Sequence, residues 1–110
     1  LAHGCRAEVE WVDGYPVTSN DPELTAWWFG VARGALGESR VQTMEHPTLG
    51  GEDFSFYGRH CPAVFFCLGL RPGGGGAQGR SATLHQPDFD FNDGAIPTGV
   101  EMLCRVAREG

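Results

Sequence analysis

The sequence predicts an α/β fold, and three observations carry that expectation. Ala63-Val64-Phe65-Phe66-Cys67-Leu68 is an unbroken apolar run of strand length, the pattern of a strand covered on both faces. Residues 6–12, Arg-Ala-Glu-Val-Glu-Trp-Val, alternate polar and apolar as a half-buried strand does. Two other segments, 22–37 and 97–107, repeat apolar residues at steps of three and four, which gathers them on one face of a helix.

Taken in order, the first strand stops at Gly14-Tyr15-Pro16. Ser19, Asn20 and Asp21 then offer oxygens to cap a helix, and Pro22 suits its first position because the missing N–H would be unpaired there. Leu24, Trp27 or Trp28, Val31 and Ala35 form the apolar stripe, and the helix runs to about Gly37. Gly30 and Gly34 each cost roughly 1 kcal/mol against alanine in a helix interior, which predicts close packing at those positions. A short strand is expected around Val41-Gln42-Thr43-Met44, and Gly50-Gly51 opens a brief helix through Tyr57. Segment 72–80 is rich in glycine but lacks the Gly-Lys-Ser/Thr of a phosphate loop, so a mobile surface loop is expected. The last helix runs from Pro97 to about Ala107. Ile96, Val100, Leu103, Cys104 and Ala107 should face the core, with Glu101, Arg105 and Arg108 facing water.

Composition narrows the class of protein. With 110 residues, 41% apolar and 20% charged, the chain can form one modest core. A net charge of −6 with scattered arginines argues against nucleic acid and anionic membranes as partners. No apolar run approaches the ~20 residues that cross a bilayer, and the first residues lack the pattern of a signal peptide. The chain begins with Leu rather than Met, so further residues are expected upstream. Cys5, Cys61, Cys67 and Cys104 form no Cys-x-x-Cys pair and read as reduced thiols. Cys67 and Cys104 are expected to pack as small hydrophobes, and four reduced cysteines favour a cytoplasmic home.

Two stretches carry chemistry. Asp88-Phe89-Asp90-Phe91-Asn92-Asp93 resembles the start of a calcium loop, but the positions that need glycine and a bidentate glutamate hold Asp93 and Gly99. Phe89 and Phe91 should instead point inward, Asp88 and Asp90 should face water, and Asn92 or Asp93 should cap the next helix. His85, in the turn Leu84-His85-Gln86-Pro87, can give one nitrogen to a metal, whereas a catalytic zinc needs about three protein ligands. His3, His46 and His60 read as solvated turn residues. From their residues alone, Gly50-Gly51 reads as a tight turn before a helix, and Glu52 and Asp53 suit the first turn of that helix.

Three motifs in order carry a family resemblance: Gly50-Gly51-Glu52-Asp53-Phe54-Ser55-Phe56-Tyr57, then Cys61-Pro62 with the apolar run to Gly69, then His85-x-Pro87-x-Phe89-Asp90-Phe91-Asn92-Asp93. Together they resemble the C-terminal part of amidohydrolases of the aminoacylase and carboxypeptidase G type, nearest the hippurate and indole-acetyl-amino-acid hydrolases. Tyr15-Pro16-x-x-x-Asn20-Asp21 resembles the point where that family's lid domain returns to its catalytic domain. The resemblance implies that residues 1–18 end a lid or dimerisation domain and that 19–110 form the C-terminal part of a zinc-peptidase-like catalytic domain, a mixed sheet flanked by helices. It implies two divalent metal ions, zinc or manganese, and hydrolysis of N-acyl amino acids or small peptides by metal-activated water. In that family His85 matches a metal ligand; Gly50 and Gly51 match either the turn or a close backbone approach to substrate, with amide N–H groups facing its carboxylate, and Glu52 and Asp53 match residues that orient metal ligands from behind. The general-base glutamate and the other ligands would lie upstream in the missing N-terminal part of the catalytic domain, and the complete enzyme would be a homodimer. Leu84 and Gln86 depart from the family, which often places a second histidine beside the ligand. The alternatives are a catalytically silent binding or regulatory module, or a structural fragment that pairs with a separate chain.

Overall fold

A computed structural model describes residues 3–70 and 84–110. The glycine-rich segment 72–80 lies outside the described residues. Two helices dominate: α1, Pro22–Leu36, and α2, Ile96–Glu109. Asp21 caps α1 by accepting from the Leu24 N–H at 2.8 Å, Pro22 takes the first turn, and Gly37 closes it at φ +86°, donating to the Arg33 carbonyl at 2.9 Å. Such an N-cap contributes about 1 kcal/mol. Short 3₁₀ turns follow at Glu38–Arg40, Asp53–Arg59 and Asp93–Ala95, the last leading directly into α2 with Asn92 accepting from the Gly94 N–H at 3.1 Å.

The core is the contact between the two helices. Val31, Ala32 and Met102 are buried, with Trp27, Trp28 and Phe66 packed around them. Ala32 is fully buried, which lets α1 and α2 approach closely. Phe66 joins through its ring, 4.8 Å from that of Trp28, and Leu68 lies against the Gly99 side of α2. Along the outside of α2, Arg105 bonds Glu101 at 2.6 Å and approaches Glu109 at 3.5 Å. The hydrogen bond and then the charge of Glu101 raise the Arg105 pKa above its ordinary value.

The α/β expectation is overturned: the described residues contain no strand and therefore no sheet, and the architecture is helical. Periodicity shows which faces of a strand would be apolar, but a strand exists only where a second backbone completes its ladder. Among the described residues, 6–12 have no such neighbour, and Trp11 is 84% exposed. Residues 41–44 form no element either. Segment 63–68 is not covered on both faces; Val64, Phe66 and Leu68 are half-buried while Phe65 and Cys67 are exposed. Its polar groups meet a side chain instead of a strand. Asn20 donates from Nδ2 to the Phe65 carbonyl at 2.9 Å and accepts from the Phe65 N–H through Oδ1 at 2.8 Å. Beside it, the Asp21 N–H donates to the Ala63 carbonyl at 2.9 Å.

Smaller corrections have the same origin. The stripe expected to face the core from α2 is rotated away, with Ile96, Val100, Leu103, Cys104 and Ala107 exposed and Met102 at 2%. A helix packs the side its neighbour reaches, and α1 reaches Met102. All four cysteines are free and exposed, so Cys67 and Cys104 are not core residues. Phe89 is half-buried, but Phe91 is exposed. The surface is large for the mass, 9728 Å² against about 5,900 Å² for a compact 11.9 kDa monomer. The radius of gyration, 19.0 Å against about 13 Å, agrees.

Candidate metal and substrate site

The turn at 50–57 is built around the main chain of Glu52. Both the N–H and the hydroxyl of Ser55 donate to the Glu52 carbonyl, at 3.2 and 2.6 Å, and Ser55 is buried. Glu52 Oε1 accepts from the Phe54 N–H at 3.1 Å, so this side chain caps the 3₁₀ turn, while Asp53 stands exposed in its first turn. Ring contacts then anchor the turn, with Phe54 5.3 Å from both Tyr57 and Phe65.

Gly51 has a steric reason to be glycine. A Cβ at this position would lie 2.7 Å from Tyr15 Cδ2, inside van der Waals contact with a flat ring. Gly50 faces open space. Tyr15 in turn meets Phe56 edge to face, with ring centres 6.0 Å apart at 74°.

His85 lies in an exposed turn after which the Phe89 N–H donates to the Gln86 carbonyl at 3.1 Å. Its φ is +69°, the only positive value at a non-glycine position among the described residues. That left-handed conformation costs an L-residue roughly 1–2 kcal/mol, and histidine tolerates it better than most. The turn therefore fixes where the imidazole departs from the main chain.

These residues do not by themselves fit a catalytic metal. Among the described residues, no three of His, Cys, Asp and Glu are gathered as a metal would require, so His85, Glu52 and Asp53 form no such group. His3, His46 and His60 are exposed turn residues, as expected, with His46 3.8 Å from Glu45. The strand stop, the cap and the lid-return motif read from Tyr15 and Asn20 do not indicate that Tyr15 packs on Gly51 or that Asn20 pairs with the Phe65 backbone.

The comparisons with known proteins agree with the local motifs. The chain belongs to peptidase family M20/M25/M40, which matches residues 5–109. It is 37% identical over 105 residues to a probable hydrolase of Synechocystis, covering 96% of this chain and 26% of the relative. It is 30% identical over 107 residues to the IAA-amino acid hydrolase ILR1-like 4 of Arabidopsis thaliana, covering 94% and 23%. The chain thus spans about a quarter of the length of these curated relatives. No solved structure matches it. Among the described residues, no helix is long and apolar enough to cross a membrane.

Proposed function

We propose that this chain is the C-terminal part of a metal-dependent amidohydrolase that cleaves the amide bond of N-acyl amino acids or small peptides. The family match along residues 5–109 carries the reading, and the name of the Arabidopsis relative, IAA-amino acid hydrolase ILR1-like 4, supports the substrate class. In this reading His85 is one ligand of a zinc or manganese centre with two ions. Gly50 and Gly51 present their backbone to the substrate carboxylate, and Glu52 and Asp53 lie behind the metal. The remaining ligands and the general base come from an N-terminal part of the catalytic domain in a cytoplasmic homodimer. The exposed apolar surface of α2 suits a chain completed by such a neighbour.

The test uses the full-length protein. His85→Asn keeps a residue that tolerates the left-handed turn while removing the imidazole. Metal content per protomer and turnover of hippurate or N-acetyl amino acids should fall together, turnover by about 100-fold or more, with the melting temperature held. Unchanged metal content and rate would rule out His85 as a ligand. A full-length protein that binds no metal and turns over none of these substrates would instead support the silent module.

A further inference from the structure

The Gly50–Gly51 backbone is held unequally from its two sides. Downstream, Glu52 and Ser55 lock the chain through three hydrogen bonds, and Phe54 ties the turn to Phe65. Upstream, residues 42–50 are all exposed and form no helix or strand, with Leu49 at 97%. Two adjacent glycines in such a chain have more conformational freedom than any other pair, and ordering them on binding would weaken affinity. The Tyr15 ring fills the space beside Gly51 that a side chain would otherwise occupy, and Phe56 sets the angle of that ring. It meets Gly51 from far along the chain and rests on Phe56 of the downstream turn.

We infer that Tyr15 is a positioning residue that holds the Gly50–Gly51 backbone in the conformation that receives the substrate carboxylate, an inference that rests on the function proposed above. Its action is steric. The ring restricts the main chain at Gly51 before substrate arrives, so its loss should weaken recognition of the carboxylate and leave the chemical step largely alone. The phenol oxygen has no part in this, so phenylalanine should serve as well.

The experiment uses the full-length enzyme with hippurate as substrate and hippuramide, which lacks the carboxylate, as competitor. The inhibition constant of hippuramide is measurable whether or not it is turned over. Tyr15→Ala should raise KM for hippurate about tenfold and leave kcat within about twofold, with the inhibition constant of hippuramide nearly unchanged. Tyr15→Phe should restore the wild-type KM, and Tyr15→Leu, bulky but not flat, should fall between. Gly51→Ala should also raise KM, and adding Tyr15→Ala to it should cost less than the two changes separately, because one relieves the clash the other creates. An unchanged hippurate KM in Tyr15→Ala, or equal weakening toward hippurate and hippuramide, would overturn the role of Tyr15 alone. A wild-type enzyme inactive on every N-acyl amino acid would overturn the functional reading and this inference with it. Should Tyr15→Ala prove unfolded by circular dichroism, the Leu variant decides by the same two constants.

Discussion

Segments 6–12 and 63–68 both have the side-chain pattern of a strand, yet only one of them is held in place. In 63–68 the Phe65 backbone meets both polar ends of the Asn20 amide, and Phe66 rests on the helix pair. In 6–12 the apolar residues find nothing among the described residues, and Val9 and Trp11 are 85% and 84% exposed. The segments also differ in hydrophobicity, one an unbroken apolar run and the other interrupted by Arg6, Glu8 and Glu10, but a strand-like pattern by itself orders neither. A backbone segment becomes ordered when its N–H and C=O groups acquire partners and one of its faces acquires a floor. Among the described residues, segment 63–68 has both, and 6–12 has neither.

The strongest way to break this comparison is to remove the floor. Met102→Ala in the 110-residue chain should destabilise it by about 2–5 kcal/mol, read as a large fall in the denaturation midpoint, because Met102 fills the cluster on which Phe66 packs. A change below about 0.5 kcal/mol would mean that the helix pair does not support the segment.

Removing the backbone partner should have a smaller effect. Asn20→Ala should cost about 0.5–1.5 kcal/mol, since the Phe65 N–H and C=O lose their partner at an exposed position where water can replace it. Asn20→Asp, which keeps an acceptor but lacks the amide N–H, should cost less. Amide hydrogen exchange provides the local readout, with Phe65 losing its protection before the amides of α1. Equal protection in wild type and Asn20→Ala would show that the side chain is not the partner.

The smallest effect is expected in the other segment. Val9→Ala should stay within about 0.5 kcal/mol of wild type, and amides 6–12 should exchange as in an unfolded chain. A measurable loss of stability, or slow exchange, would show that this segment has a partner after all.

Both helices were legible because their signals are local. Asp21 and Pro22 mark the start of α1 and Gly37 its end, and Asn92 marks the turn into α2, through groups at most a few residues apart. The side of α2 that is buried was not legible, because two apolar stripes compete on that helix and the position of α1 selects Met102 over Val100 and Leu103. The site was legible in part. His85 and Gly50-Gly51 stand out as residue types in a motif, but neither the φ of +69° at His85 nor the ring beside Gly51 leaves a trace in the neighbouring letters.

By itself, the sequence determined the positions of the two helices, their caps, the acidic charge and the family motifs, since each depends on residues within about a turn of one another or on plain order along the chain. Only the tertiary structure decided which apolar run is held, which side of α2 is covered and why residue 51 is glycine. Those outcomes depend on groups brought together from distant positions, as Asn20 and Phe65 are across 45 residues. Such a contact is set by where the intervening chain folds, and alternation or composition contains no measure of that distance.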